Sequence, residues 1–156
     1  MSKFQTTWKF VADTVMGGVS RGRVSDQIVA SRRATRLTGT VSLENSGGFI
    51  QMASNVQEGS LGLDTGKWAG IQIDVFGNGE AYDMRLRTED LQRPWQSYRA
   101  QFRAPSFWTT ICLPFSAFEP HRTETILDPA KLRRIGIVAV GRAFHADIAV
   151  SDIRLF

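Results

Sequence analysis

The stretch IQIDVFGNGEAYDMRLRTEDLQRPWQSYRAQFR, residues 71–103, decides the fold. Over 71–76, Ile71, Ile73 and Val75 alternate with Gln72 and Asp74. Over 82–88, Tyr82, Met84 and Leu86 alternate with Asp83, Arg85 and Arg87. Over 98–103, Tyr98, Ala100 and Phe102 alternate with Arg99, Gln101 and Arg103. A period of two sends one set of side chains to a buried face and the other outward, which is the mark of a half-buried strand. Gly77-Asn78-Gly79 reads as a tight hairpin between the first two strands, because glycine supplies a positive φ without strain. Outward from this stretch, similar runs occupy 8–12, 108–113, 135–140 and 144–150, with shorter ones at 41–43 and 49–53. One short helix is expected. Asp128 caps it, Pro129 suits its first position, and 130–134 forms a turn or two, with Arg133 and Arg134 at the end where the helix dipole favours cations. Many short strands, Gly-rich turns and a single short helix predict an all-β jelly-roll sandwich. A parallel α/β fold needs helical crossovers that the sequence does not supply.

The 156 residues fit one domain, read as 1–156. Hydrophobic residues at 42% and charged residues at 22% exclude a disordered tail, a collagen and a coiled coil. No apolar run approaches the ~18 residues of a membrane span. The charge balance is 19 basic against 15 acidic residues, a net +4. Fifteen of the basic residues are arginine, whose planar fork grips carboxylate or phosphate. No Lys/Arg run of the kind that marks a nucleic-acid patch is present, so a nucleic-acid partner is not expected. Cys112, alone in the apolar run 109–113, cannot form an intrachain disulfide and reads as a small core residue. The start, MSKFQTTWKF, has no hydrophobic signal core, and Trp8 already reads as structural. A reducing cytoplasm is the expected compartment.

Several motif matches lead nowhere catalytic. Gly18-Val19-Ser20-Arg21-Gly22 matches the G-x-S-x-G pattern, which works only on a strained strand-to-helix turn beside a base and an oxyanion hole. The following 23–37 has weak helical periodicity, so Ser20 reads as part of a glycine-permitted loop. Gly77-Asn78-Gly79 lacks the third glycine of a dinucleotide fingerprint, since Tyr82 stands there. His121 and His145 lack metal-ligand spacing. Asp13 and Asp152 are outside any dense acidic loop that would hold calcium. No catalytic residue, metal or cofactor is expected.

The richest constellation is the outward set of 82–88 and 98–103. As antiparallel neighbours, these strands would gather Asp83, Arg85, Arg87, Arg99, Gln101 and Arg103 on one face, with Trp95 in the connecting loop. Planar Arg and Gln groups beside an indole suit a carbohydrate, a carboxylate or a peptide amide. The same pattern also describes a solvated face whose Asp–Arg pairs are each worth under ~1 kcal/mol. The candidate binding residues are therefore Arg85, Arg87, Trp95, Arg99 and Gln101.

Further blocks run along the whole chain. They are Trp8, Asp13-Thr14-Val15-Met16-Gly17-Gly18-Val19-Ser20, Gly39-Thr40-Val41-Ser42-Leu43-Glu44-Asn45-Ser46-Gly47-Gly48-Phe49, Gly77-Asn78-Gly79 with Tyr82 and the run 85–88, Tyr98-Arg99-Ala100-Gln101-Phe102, Trp108, Leu113-Pro114-Phe115-Ser116-Ala117-Phe118, Ile135-Gly136-Ile137 and the terminal run around Ile153. In this order, from Trp8 to Ile153, the chain resembles the complex I intermediate-associated protein 30 family, whose bacterial members are widespread. The chain departs at Gln51-Met52-Ala53, where many relatives carry an arginine. The resemblance implies a galactose-binding-like jelly roll and a non-enzymatic role. It implies an assembly factor or chaperone that holds a protein subunit or intermediate of a membrane-associated, complex I-like redox complex. A carbohydrate- or anion-binding module is the alternative. The motif loops Asp13, Met16, Gly17, Gly18, Ser20, Asn45, Gly47 and Gly48 join the candidate residues. From their chemistry, Gly17 and Gly18 permit a tight path, Asp13 and Ser20 bond neighbouring amides, and Asn45 fixes its own turn. Phe49, Trp108, Phe115 and Phe118 read as core aromatics, and Pro114 as the end of a strand.

Overall fold

Alternation along the chain resolves into twelve strands in a computed structural model that describes residues 2–56 and 62–156. They are β1 (Ser2–Lys3), β2 (Lys9–Ala12), β3 (Arg21–Val29), β4 (Arg32–Val41), β5 (Phe49–Asn55), β6 (Gly70–Phe76), β7 (Ala81–Thr88), β8 (Ser97–Arg103), β9 (Thr109–Pro114), β10 (Glu119–His121), β11 (Leu132–Val140) and β12 (Phe144–Leu155). Two antiparallel sheets face each other. The first runs β3-β4-β12-β6-β9, with β1 beside β12, and the second runs β10-β8-β7-β11-β5-β2. The jelly-roll sandwich expected from the sequence is present. No helix among the described residues is long and apolar enough to cross a membrane.

The core follows from the alternation. Leu37, Ile71, Ile73, Val75 and Ile148 come from the first sheet. Ile50, Met52, Tyr82, Met84, Leu86, Tyr98, Ile135 and Ile137 come from the second, and all are fully buried. Truncating any of the aliphatic ones to Ala costs about 2–5 kcal/mol, the range for core cavities.

The structure corrects several expectations. Gly77-Asn78-Gly79 is no hairpin, because β6 belongs to the first sheet and β7 to the second. The segment is an inter-sheet crossing. Gly79 takes φ +83° in it, and a Cβ on Gly77 would collide with Ala104. Tyr82 explains why the chain crosses there. Its hydroxyl donates to Asn78 Oδ1 (2.7 Å) and accepts from the Asp147 amide (2.9 Å), tying the second sheet to β12 of the first. Burial pushes the phenol up to about 12.

The expected helix is a single 3-10 turn, Pro129–Lys131, capped by Asp128, whose Oδ1 accepts from Ala130 N (3.0 Å). Arg133 and Arg134 lie in β11, not at a helix end, because Leu132 and Ile135 are both fully buried and draw the chain into the strand. The structure adds a long hairpin, β3–β4, to the expected strands, and the short run at 41–43 shares with it only its last residue, Val41. Phe49 and Trp108 are not core plugs. Phe49 precedes the inward Ile50 and so faces out, and Trp108 packs edge-on against the outward Phe76, 5.7 Å between centroids. Cys112 is exposed, sharing its side of the sheet with Asp74 and Thr110.

Candidate functional site

Strands β8, β7, β11, β5 and β2 are neighbours, so their outward side chains form continuous rows across the second sheet. One row is Glu119, Arg99, Arg85, Gly136, Ala53 and Lys9. The next is Gln101, Asp83, Val138, Gln51 and Val11. A third places Arg87 beside Arg134 and Asn55. The middle of the face is low, because Gly136, Ala53 and Val138 are small and buried. The Gln51 amide lies over it, and a Cβ on Gly136 would stand 2.9 Å from Gln51 Oε1. Long polar side chains rise around this floor.

The structure brings Arg85, Arg99 and Gln101 together on adjacent strands. Arg99 and Gln101 are exposed, and Arg85 is half-buried with Nη2 3.2 Å from Asp83 Oδ2. Arg87 is used differently. Its Nε donates to Gln96 O (3.1 Å) and its Nη2 to Arg93 O (2.8 Å), which pins the 89–96 loop. That loop presents Trp95, 55% exposed, with the Arg93 guanidinium 5.9 Å from its ring centroid. Arg87 is thus a positioning residue for the indole. We expect Arg87→Ala to lower stability by about 1–2 kcal/mol, since two bonds from a charged donor are lost partly in solvent. Amide exchange should accelerate at residues 93–96 and stay unchanged in β11. Unchanged exchange in the loop would contradict this role.

This face is electropositive. Lys9, Arg85, Arg87, Arg99, Arg103 and Arg134 lie on it, against Asp83 and Glu119 as its acids. Among the described residues only Arg85 of these cations has a carboxylate partner. Two titrating groups record the field. Burial lowers the His121 pKa, and Arg99, Arg85 and Arg122 lower it further. Burial likewise depresses the Arg87 guanidinium, and Arg134 and Arg133 add to it.

The centre of the first sheet's outer face has the opposite character. Arg36 grips Asp147 with two bonds of 2.7 and 2.6 Å. Arg154 grips Asp74 at 3.0 and 3.1 Å, and Arg32 stands 3.7 Å from the same carboxylate while its guanidinium covers the Trp108 ring. The bonds from Arg154 hold the Asp74 carboxyl below its ordinary range against the push of burial. The arginines at the centre of this face are therefore neutralised inside the fold.

The motif loops converge on one buried carboxylate. Asp13 is fully buried, and its Oδ1 accepts from Ser20 N at 3.0 Å. Its Oδ2 accepts from Ser20 Oγ (2.5 Å), Gly48 N (2.6 Å) and Phe49 N (3.3 Å). Ser20 Oγ in turn accepts from Ser42 N at 2.8 Å. A Cβ on Gly18 or Gly47 would collide with the Asp13 side chain, and Gly17 sits at φ +90°. Asn45 also takes a left-handed turn, φ 56°. Ser20 is buried and leads into a strand, so the hydroxyl is committed to the Asp13 knot. Met16 lies in the same loop but points to solvent, 59% exposed.

Lys9, Gln51, Arg134 and Gly136 belong to the face, yet nothing adjacent in sequence points to them. A cleft of about 490 Å³, lined by Thr6, Trp8, Asp26, Ile28 and Arg33, lies elsewhere.

A family profile described as Complex I intermediate-associated protein 30 matches residues 1–150. No curated protein matches at a significant level. Among solved structures, the family 11 carbohydrate-binding module of the cellulosomal cellulase Lic26A-Cel5E of Clostridium thermocellum superposes with a TM-score of 0.77 at 15% identity, over 100% of this chain and 92% of that one. The same type of module in complex with a β-1,3-1,4-mixed-linked tetrasaccharide gives 0.77 at 14% identity, over 100% and 96%. A family 30 module of cellulosomal cellulase from Clostridium thermocellum gives 0.70 at 14% identity, over 99% and 94%. At these identities the likeness carries the fold.

Proposed function

The chain belongs to the complex I intermediate-associated protein 30 family, and from that membership we propose a non-catalytic binding protein that holds a subunit or assembly intermediate of a complex I-like redox complex. The outer face of the second sheet is the holding surface. The observation that carries this is the contrast between the centres of the two outer faces. Arg36 and Arg154 on one face are each bonded twice to a carboxylate, whereas Arg99 and Arg134 on the other have none among the described residues. Cations left uncompensated on a rigid sheet favour an acidic counter-surface, because complementary fields speed encounter and reject wrong partners. Arg85, Arg99 and Gln101 supply the donors, and Arg87 holds the loop that carries Trp95. The test is cross-linked affinity capture from the native cell with mass spectrometry. Subunits of the respiratory NADH-oxidising complex should be recovered by the wild type and lost with Arg99→Glu. Recovery of none of them by the wild type overturns the reading.

The exposed Trp95 and the planar row Gln101, Asp83 and Gln51 favour a second reading, a carbohydrate module. A mixed-linked β-glucan tetrasaccharide would then raise the melting temperature and change the Trp95 emission. No change with the sugar leaves the first reading alone.

A further inference from the structure

Eight large apolar side chains are exposed among the described residues, and four of them come from just two loops. Val15 (74%), Met16 (59%) and Val19 (38%) stand on the β2–β3 loop, and Leu43 (51%) on the β4–β5 loop. Exposed apolar residues scattered singly are ordinary, whereas a cluster calls for an explanation. These four are one cluster. A Cβ on Gly48 would stand 3.1 Å from Leu43 Cδ2, so Leu43 lies against Gly48. The Gly48 amide donates to Asp13, the residue that opens the turn bearing Val15 and Met16. Gly17 N bonds Thr14 O at 3.2 Å and Gly18 N bonds Asp13 O at 2.9 Å, so this turn is closed on itself. The same knot that buries a carboxylate therefore fixes two apolar loop tips side by side.

We propose that these tips insert into the surface of a lipid bilayer bearing anionic headgroups. The tip side chains stand 38–74% exposed on two turns. A fluid interface accepts a projecting apolar tip without a matching groove. The charge beside the tip fits the same occupant. Arg21 and Arg23, the first and third residues of β3, are exposed and have no carboxylate partner among the described residues. Glu44 is the one exposed acid in 13–20 and 42–48. Apolar side chains that enter the interface, backed by cations that meet the headgroups, are the two signals a reversible membrane contact requires. This site is separate from the second-sheet face and does not depend on it.

The test is co-sedimentation with vesicles of phosphatidylcholine alone and of phosphatidylcholine mixed with phosphatidylglycerol. The wild type should sediment with the mixed vesicles. Met16→Asp with Leu43→Asp should weaken binding on the order of ten-fold or more. Arg21→Ala and Arg23→Ala should each weaken it roughly five-fold on the mixed vesicles, and leave any residual binding to pure phosphatidylcholine unchanged. All four positions are exposed, so an unchanged melting curve shows that the variants fold. No sedimentation of the wild type overturns the proposal, as does binding that Met16→Asp with Leu43→Asp leaves intact. A concentration-dependent dimer that these substitutions abolish would assign the tip to a second copy of the chain, and would equally overturn it.

Discussion

Asp13→Ala should cost about 3–5 kcal/mol of stability, because it strands several buried hydrogen-bond donors at once. The substitution leaves Ser20 N, Ser20 Oγ, Gly48 N and Phe49 N without their acceptor at the end of the sandwich. Each stranded donor costs about 1–3 kcal/mol when water cannot reach it. Ser20→Ala should cost less, about 1–2 kcal/mol, because the carboxylate keeps its backbone donors. The pH dependence has a definite sign. Burial raises the Asp13 pKa, but the bonds from Ser20 Oγ, Gly48, Ser20 N and Phe49 outweigh it and hold the carboxyl below 3.8. The unfolded chain takes up the proton first as pH falls through 3.8, so the stability from Asp13 is fully present above that value and drains away below it. Asp74, lowered in the same way, adds to the slope. Urea midpoints measured from neutral pH to pH 3 should therefore fall less steeply for Asp13→Asn than for the wild type. A loss under about 1 kcal/mol for Asp13→Ala would remove the knot from any role in stability.

The sequence makes one half of the architecture legible and hides the other for physical reasons. Residues 71–103 show their strands because the buried Ile71, Ile73, Tyr82, Met84, Leu86 and Tyr98 alternate with outward-facing polar side chains. The β3–β4 hairpin does not, since it turns on Ala30 (φ 43°) and Ser31 (φ 70°). A turn of that shape ordinarily announces itself as Asn-Gly, and neither Ala nor Ser does so. At the edge of the first sheet β3 also buries little, and Ile28 is 71% exposed, which blurs the alternation. Gly77-Asn78-Gly79 advertises a turn correctly but cannot say which sheet the next strand joins. The aromatic ring of Trp108 reads as core because its hydrophobicity is visible and its partner, Arg32, 76 residues away, is not. The site divides along the same line. Asp83, Arg85, Arg99 and Gln101 can be paired by inspection, since β7 and β8 are sequential neighbours. Arg134 and Gln51 reach the face only through β11 and β5, whose adjacency is a fact of topology. The two motif blocks at 13–20 and 42–48 are conspicuous, but their meeting on one carboxylate is a tertiary event.

Arg99→Glu combined with Arg85→Gln should weaken binding to an acidic probe about a hundred-fold, as read by titration with poly-L-glutamate. The estimate comes from the bonds removed and the charge reversed. A charge-assisted hydrogen bond is worth about 1.5–3 kcal/mol, and tenfold in affinity is 1.4 kcal/mol. Glutamine is chosen at 85 because Asp83 is buried beside it, and an amide still offers that carboxylate an N–H donor. A glutamate there would set two like charges together and confuse folding with binding. Arg99 has no partner to lose among the described residues, so stability should stay within about 0.5 kcal/mol at that position. Arg33→Glu is the control. It reverses an exposed charge on β4 of the other sheet and should leave poly-L-glutamate binding within about two-fold, since exposed charges farther apart than the ~8 Å Debye length are largely screened at physiological salt. The wild-type affinity should also fall as salt is raised, and the double variant should have lost most of that dependence. Equal losses from Arg33→Glu and from the double variant would mean that the probe senses net charge alone. Wild-type affinity in the double variant would remove Arg85 and Arg99 from recognition, and the second-sheet face would be left as a solvated surface held by its own Asp83–Arg85 pair.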